Sequence, residues 1–252
     1  VKQEEDFLLL KYIMDSVRLE ADYERFEYES KKLGERGLLV PIMCPERKTA
    51  FQSLLEDWVG TENLVFSLMD FPETVQMTLD AMMRVSKRAA EIAAESSAPF
   101  FLSWEDTSTT NISPQYYRDY ILPEINMWCD ILHQNGKRYI QHACGKLDAL
   151  LKDIAGSKID VLESISPAPT GNIEMEKIQT IFPKRIALIG GIEPVQLLSL
   201  PVEKIVEKAE GLIKTMQDRG YILANSDSCP PGVSVEKFEA LAELVRNKSI
   251  SS

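Results

Sequence analysis

The sequence has little of several features that mark whole classes of protein. Its 252 residues contain no run of about 18 apolar residues and no basic-then-apolar leader, so neither a membrane span nor a signal peptide is expected. Lys and Arg number 28 against 39 Asp and Glu, and the net charge of −11 disfavours binding to nucleic acid or anionic lipid. Four widely spread cysteines are too few for a disulfide scaffold. These absences predict a soluble, cytoplasmic protein.

Glycine-rich phosphate-binding turns are absent as well. No strand candidate is followed by a GxGxxG or GxxxxGK pattern, which is the usual mark of an open nucleotide-binding sheet. The chain does have a hydrophobic fraction of 44%, enough for a substantial core. Because no internal repeat or linker divides it, we predict a single domain over residues 1–252, with a frayed tail from Ser249 to Ser252.

Hydrophobic periodicity predicts an alternation of helices and strands. Apolar residues at helical spacing predict one or two helices within residues 5–32 and a helical region over 49–96, broken near Gly60 and Pro72. Another helix is expected over 115–134, kinked at Pro123. Short apolar runs predict six strands, at residues 37–43, 99–104, 138–142, 159–163, 185–189 and 220–224.

This alternation indicates an α/β fold with parallel strands. Polar clusters follow one strand after another, which favours a TIM-type (β/α)8 barrel, where all strand ends share one mouth. Six strands leave such a barrel two short, no strand precedes the first helix, and the chain starts at Val1 rather than Met. We therefore expect the C-terminal fragment of a longer protein, whose open strand edges favour self-association or a missing partner segment.

The most informative pattern is His142-Ala143-Cys144 at the end of a predicted strand. Residues two apart on a strand point the same way, so His142 and Cys144 can reach one ion. Cys229 follows the last predicted strand and shares the same mouth in a barrel. One imidazole and two thiolates are typical zinc ligands, and they leave a fourth position open for substrate. Glu163, at the end of the strand after the histidine motif, is a candidate for that position.

Structural interpretations of the same residues stay open. Cys144 and Cys229 can be small buried hydrophobic residues, and His142 can be a hydrogen-bonded core histidine. Glu105 and Asp106 follow a predicted strand and are candidates for substrate positioning or general-base catalysis, although either acid can also cap a turn or a helix.

Gly190, Gly191 and Asp227 are candidates for substrate binding. The two glycines permit close backbone approach to a ligand, and a tight turn after the strand explains them equally well. Asp227 lies two residues before Cys229, where it can orient a ligand or be an ordinary loop acid.

The order of these strand-end motifs resembles the uroporphyrinogen decarboxylase superfamily over residues 38–247. The motifs are Trp104-Glu105-Asp106, Ile112-Ser113-Pro114, His142-Ala143-Cys144-Gly145, Ile189-Gly190-Gly191-Ile192 and Ser226-Asp227-Ser228-Cys229-Pro230. The His-x-Cys pair with a distant Cys is most similar to the zinc site of methylcobamide:coenzyme M methyltransferases and related corrinoid-dependent methyltransferases. The resemblance implies a TIM barrel and zinc ligands His142, Cys144 and Cys229, with Glu163 as a fourth.

The function that the resemblance implies is zinc-dependent methyl transfer. A corrinoid carried by a separate protein would exchange a methyl group with a small thiol or methylated substrate, on which zinc acts as a Lewis acid. Two alternatives stay open: a metal-free decarboxylase of a tetrapyrrole in the same barrel, and a non-catalytic zinc- or corrinoid-binding module. The Arg-rich opening and the N-terminal catalytic Asp of the decarboxylases have no match in this chain.

Overall fold

The computed structural model of the chain contains one β-sheet and describes residues 1–249. Residues 250–252, which belong to the predicted frayed tail, lie outside the described residues. Five strands form this sheet in the order β1-β2-β3-β4-β5, and the β3–β4 and β4–β5 pairs are parallel. The strands are β1 (Phe100–Glu105), β2 (Arg138–Ala143), β3 (Val161–Ile165), β4 (Ala187–Ile192) and β5 (Tyr221–Asn225).

Helices occupy the intervals between the strands. Five precede β1, namely α1 (Glu4–Ser16), α2 (Glu24–Leu33), α3 (Ala50–Ser53), α4 (Thr61–Asp70) and α5 (Pro72–Glu95). The others are α6 (Pro114–Tyr116), α7 (Leu122–Gln134), α8 (Leu151–Gly156), α9 (Met175–Ile181), α10 (Pro194–Ser199), α11 (Val202–Thr215) and α12 (Val235–Ser249). Helix α3 continues as a π-helical turn, Leu54–Trp58, and a second such turn, Tyr117–Ile121, joins α6 to α7. None of the described helices is both long and apolar enough to cross a membrane.

The predicted α/β fold with a parallel sheet is confirmed. Five of the six predicted strands are present, with ends that differ from the prediction by up to three residues. The two helices predicted within residues 5–32 are present as α1 and α2, which begin and end one residue outside that range, and the helical region over 49–96 breaks at Gly60 and before Pro72. Each strand is followed by helical segments, an arrangement compatible with part of a (β/α)8 barrel.

The strand predicted at residues 37–43 is wrong in extent. Among the described residues of this segment, Ile42 alone forms a bridge, a parallel one to Leu102 of β1. Two backbone bonds flank it, from Met43 N to Leu102 O at 2.8 Å and from Leu102 N to Pro41 O at 3.1 Å. Pro41 has no N–H to donate, so it interrupts any ladder that would run through this segment.

Two compact units make up the described chain. The first contains Val1–Glu105, Asn111–Gln141 and Ser157–Ile159; the second contains Asp106–Thr110, His142–Gly156 and the chain from Asp160 onward. In the first unit α1 packs on α5 and buries Phe7, Leu10 and Met14. In the second, a buried cluster forms between β4 and the helices after it, from Ile192, Leu197, Ile205 and Ala209. The single domain over residues 1–252 stays a prediction.

Candidate functional site

His142 and Glu163 lie in direct contact within the second unit. His142 is near the end of β2 and Glu163 is in the middle of β3, and Nδ1 of the imidazole bonds to Oε2 of the carboxylate. Their side chains are 19% and 21% exposed, so this contact is shielded from most solvent. A carboxylate at one ring nitrogen fixes the orientation and tautomer of an imidazole. The structure therefore brings together two of the residues predicted to bind metal.

Cys144 lies among acidic side chains. It follows β2 directly, and its thiol donates to Oδ1 of Asp106 at 3.6 Å. Burial, and then the negative charges of Asp106 and Asp227, raise the pKa of Cys144 to about 12. Without a cation beside it this thiol stays protonated at neutral pH, and a bound cation would favour the thiolate.

The loop that follows β5 carries Asp227 and Cys229. Asp227 Oδ1 accepts a hydrogen bond from Ser228 N at 2.6 Å, and the amide of Asn225 donates to the Asp227 carbonyl. The Cys229 side chain is exposed, and its thiol donates to the Pro230 carbonyl at 3.7 Å. The charge of Asp227 is also one of the causes that raise the pKa of Cys144.

Ser226 connects the ends of three strands, a role that the sequence did not suggest. It is fully buried; its hydroxyl accepts from Gly191 N at 3.0 Å, and its own N–H donates to Ile192 O at 2.8 Å. Its carbonyl accepts from the hydroxyl of Ser164, which follows Glu163 and has a left-handed backbone conformation with φ of 73°. A non-glycine residue is strained in the left-handed region of φ and ψ, so Ser164 needs a contact such as this hydrogen bond to hold it there.

The loop after β1 and the loop after β2 are bonded to each other. Ser108 Oγ accepts from Lys146 N at 3.1 Å, and Thr109 N donates to Lys146 O at 2.9 Å. A Cβ at Gly145 would lie 2.6 Å from that of Ser108, so only glycine permits this approach. The hydroxyl of Thr107 is buried with no hydrogen-bond partner among the described residues. The hydrogen bonds between the two loops position Asp106 beside Cys144.

Gly190 and Gly191 lie at the end of β4, where neighbouring strands approach closely. A Cβ at Gly190 would lie 2.9 Å from Ile165 O, and one at Gly191 would lie 2.9 Å from the hydroxyl of Tyr221. Both glycines have positive φ, 132° and 101°. Packing between strands thus accounts for both glycines, and their role in substrate binding stays a prediction.

Glu105 is fully buried in the first unit rather than exposed at a mouth. Oε1 accepts from Thr49 N at 2.8 Å, and Oε2 accepts from the Thr49 hydroxyl at 2.9 Å. Burial raises the pKa of Glu105 to about 7. Both carboxylate oxygens hold the start of α3, so the geometry of Glu105 favours a positioning role, and catalysis by this residue stays a prediction.

The fit of the predicted ligands to zinc is partial. Within residues 1–249, no group of three or more His, Cys, Asp and Glu side chains is placed to hold one metal ion. His142 is paired with Glu163, Cys144 with Asp106, and Cys229 is exposed. An imidazole nitrogen and two thiol sulfurs have the donor chemistry that zinc prefers, but they do not form a closed ligand set. Zinc binding by these residues stays a prediction.

Comparison with known proteins identifies the family. A family model described as uroporphyrinogen decarboxylase (URO-D) matches residues 49–248, which is most of the chain. The chain belongs to the uroporphyrinogen decarboxylase family. The resemblance expected from the strand-end motifs is therefore confirmed. None of the curated proteins matches the chain in sequence.

This member of the uroporphyrinogen decarboxylase family is also similar to the solved structure of a methyltransferase from Methanosarcina mazei. The two share 19% sequence identity with a TM-score of 0.70, and the match covers 88% of the present chain. The chain spans 62% of the length of that methyltransferase. At this identity the likeness establishes a shared fold.

Proposed function

We propose that this member of the uroporphyrinogen decarboxylase family is a zinc-dependent methyltransferase. It would move a methyl group between a corrinoid carried by a separate protein and a small thiol or methylated substrate. The observation that carries the proposal is the pairing of His142 with Glu163, in the same unit as a thiol, Cys144, that lies among acids. The likeness in fold to a methyltransferase adds support.

In this proposal His142, Cys144 and Cys229 would hold the zinc, with Glu163 as a fourth ligand or as the group that orients the imidazole. The observed contact at Nδ1 favours the tautomer whose other ring nitrogen can bind a metal. The acids around Cys144 disfavour a lone thiolate and favour a site that contains a cation. When bound, zinc would supply Lewis acidity, which lowers the pKa of a thiol or polarises a leaving heteroatom.

The remaining groups would handle the proton and the substrate. In the thiol direction Asp106 would take the proton of the substrate S–H, so that the sulfur could accept the methyl group as a thiolate. A corrinoid on the partner protein would supply that methyl group and keep the bonding electron pair, and in the opposite direction it would provide the pair for the methyl group while the substrate heteroatom kept its own. Glu105 would act indirectly: its hydrogen bonds hold the end of β1 and thereby position Asp106, the next residue. Asp227 and the two glycines of β4 would contact the substrate.

Metal content is the first test of this proposal. We expect about one zinc per chain in protein purified without added zinc, and much less in Cys144→Ala and Cys229→Ala. Cys44→Ala is the matched control, because Cys44 is also a free cysteine but lies buried in the first unit. Equal zinc in the two site variants and the control would refute the proposed ligands.

Methyl transfer is the second test. Methylcobalamin would stand in for the protein-bound corrinoid, and a small thiol such as 2-mercaptoethanesulfonate would be the acceptor. We expect zinc-dependent loss of the methylcobalamin absorbance together with formation of the methyl thioether. Bound zinc without turnover in either direction would favour the non-catalytic module.

A tetrapyrrole decarboxylase is the second candidate, and the family description itself favours it. That activity needs no metal, so it predicts protein without zinc and release of CO2 from a porphyrinogen. Metal analysis followed by a decarboxylation assay therefore distinguishes the two candidates.

A further inference from the structure

A cavity of about 350 Å³ lies within the first unit, away from every residue of the proposed zinc site. Its walls come from residues 19–26, from residues 41–45, from the last turns of α5 and from the start of β1. Most of the lining side chains are apolar, and Phe26, Met43 and Phe101 are among the largest. Pockets that bind small molecules typically measure about 300–1,000 Å³ and have mainly apolar walls. The size and the lining of this cavity therefore suit a small organic ligand.

The uncharged polar groups of the wall are already bonded within the chain. The hydroxyl of Tyr23 donates to Ile92 O at 2.8 Å. The thiol of Cys44 and the hydroxyl of Ser96 likewise donate to backbone carbonyls, at 3.3 Å and 2.7 Å. These donors are engaged, so the wall offers a ligand mainly apolar contact.

Two acids, Glu20 and Asp22, are the charged residues of the lining, and none of the lining residues is Lys, Arg or His. Both acids are exposed, so they belong to the mouth rather than to the interior. Asp22 Oδ1 accepts from Glu24 N at 3.2 Å, which leaves its other carboxylate oxygen for a ligand. A negative charge beside low-dielectric walls attracts a cation more strongly than the same charge in bulk water.

Helix α2 gives an independent reason to expect an occupant. It has ten residues, and none of them is buried. A helix this short is marginal in water and normally depends on packing of its apolar face. The apolar side chains at its start, Tyr23 and Phe26, line the cavity. A ligand in the cavity would supply the packing that α2 lacks.

We infer that this cavity binds a small organic amine, whose apolar body fills the interior while its ammonium group pairs with Glu20 and Asp22 at the mouth. The apolar walls disfavour inorganic cations and sugars, and the two acids disfavour fatty acids and other anions. The rings of Tyr23 and Phe26 offer the ammonium group cation–π contact as well. This site goes beyond methyl transfer and does not depend on it, because the two functions use different residues.

Calorimetric titration of the full chain with three probes tests the inference. The probes are 4-phenylbutylamine, 4-phenylbutanol and 4-phenylbutyrate, which share one apolar body and are positive, neutral and negative at neutral pH. We expect the amine to bind with a dissociation constant on the order of 10–100 μM. The alcohol should bind at least ~10-fold more weakly and the acid more weakly still. An amine that binds no more tightly than the alcohol would overturn the inference.

Charge variants test the mouth of the cavity. Glu20→Gln combined with Asp22→Asn should weaken amine binding by at least ~10-fold and leave alcohol binding within about 2-fold. Asparagine can keep the hydrogen bond to Glu24 N, so α2 should still begin at the same residue. The matched control is Glu24→Gln combined with Glu27→Gln, which removes two acids from the first turn of α2 that do not line the cavity. Equal losses in the two double variants would refute pairing at the mouth.

Hydrogen exchange shows whether the amine occupies this cavity. Bound amine should slow amide exchange in residues 24–33, because α2 gains contacts, and should leave α12 of the second unit unchanged. Amine binding without added protection of α2 would mean that the amine binds elsewhere, and the inference would be wrong.

Discussion

Replacing Glu124 with Gln should change how the stability of the chain depends on pH. Glu124 is fully buried; Oε2 accepts from Ala50 N at 2.8 Å, and Oε1 accepts from the hydroxyl of Ser86. Trp128 Nε1 donates to that same hydroxyl at 2.7 Å. Burial raises the pKa of Glu124 to about 8, and the nearby charge of Glu105 adds to the shift.

The sign of the effect follows from proton binding. An exposed Glu in the unfolded chain has a pKa near 4.5, so between that value and about 8 the folded state holds a proton that the unfolded state has lost. The contribution of Glu124 to the free energy of unfolding therefore falls as the pH rises through this window and is level on either side. One proton corresponds to a slope of about 1.4 kcal/mol per pH unit, and the whole window to roughly 4–5 kcal/mol.

Glu124→Gln removes this proton and its share of the slope, whereas buried Glu105, whose pKa is raised to about 7, keeps its own share. Below about pH 5 the variant should be close in stability to the unchanged chain, because a protonated carboxyl and an amide both offer one carbonyl acceptor and a donor to the same two partners. As the pH rises the unchanged chain should lose stability relative to the variant. Urea denaturation followed by tryptophan fluorescence from pH 5 to 9 measures it, since Trp128 reports on the same network.

Glu62→Gln is the matched control, because Glu62 is exposed on α4 in the same unit. Its pH dependence should match that of the unchanged chain. Parallel curves for Glu124→Gln and the unchanged chain would show that the buried carboxyl titrates at its ordinary pKa, and the reasoning from burial would be wrong.

Four further predictions concern the second unit. Gly171→Ala should destabilise the chain by more than about 2 kcal/mol, because a Cβ there would lie 2.0 Å from a backbone oxygen. Gly211→Ala, in open space on α11, should stabilise it by about 0.5–1 kcal/mol. Equal urea midpoints for the two variants and the unchanged chain would contradict both predictions. Ser226→Ala should cost about 1–3 kcal/mol in the same assay, because it leaves a buried N–H without its acceptor. Glu163→Gln should lower zinc affinity by ~10 to 100-fold in calorimetric titration while zinc is still bound, and an unchanged affinity at two pH values would mean that Glu163 neither ligates zinc nor orients His142.

Local periodicity was enough to predict most of the fold. A strand or helix buries a repeating set of apolar residues, so its position can be read from neighbours in the sequence, as for β2 and α5. The segment at residues 37–43 has the same apolar character, but Pro41 removes a donor that a strand ladder would need. Apolar composition alone therefore overestimated the sheet.

The candidate site was predictable only in part. Strand-end position predicted that His142 and Glu163 would come together, since neighbouring parallel strands end at one edge. Ser226 was missed because its hydrogen bonds join residues 35 and 62 positions apart, which no local pattern encodes. The burial of Glu105 was missed for the same reason, since its partner Thr49 is 56 residues away.

The close approach of Gly145 to Ser108 has a consequence for attempts to alter this protein. Because these two loops are bonded through Lys146 and tolerate no extra carbon atom between them, they behave as one component made of two separate stretches of sequence. An insertion in either loop would displace Asp106 from Cys144. Transplanting a new specificity from a homologue would therefore require that residues 106–110 and 144–147 be exchanged together, as a matched pair.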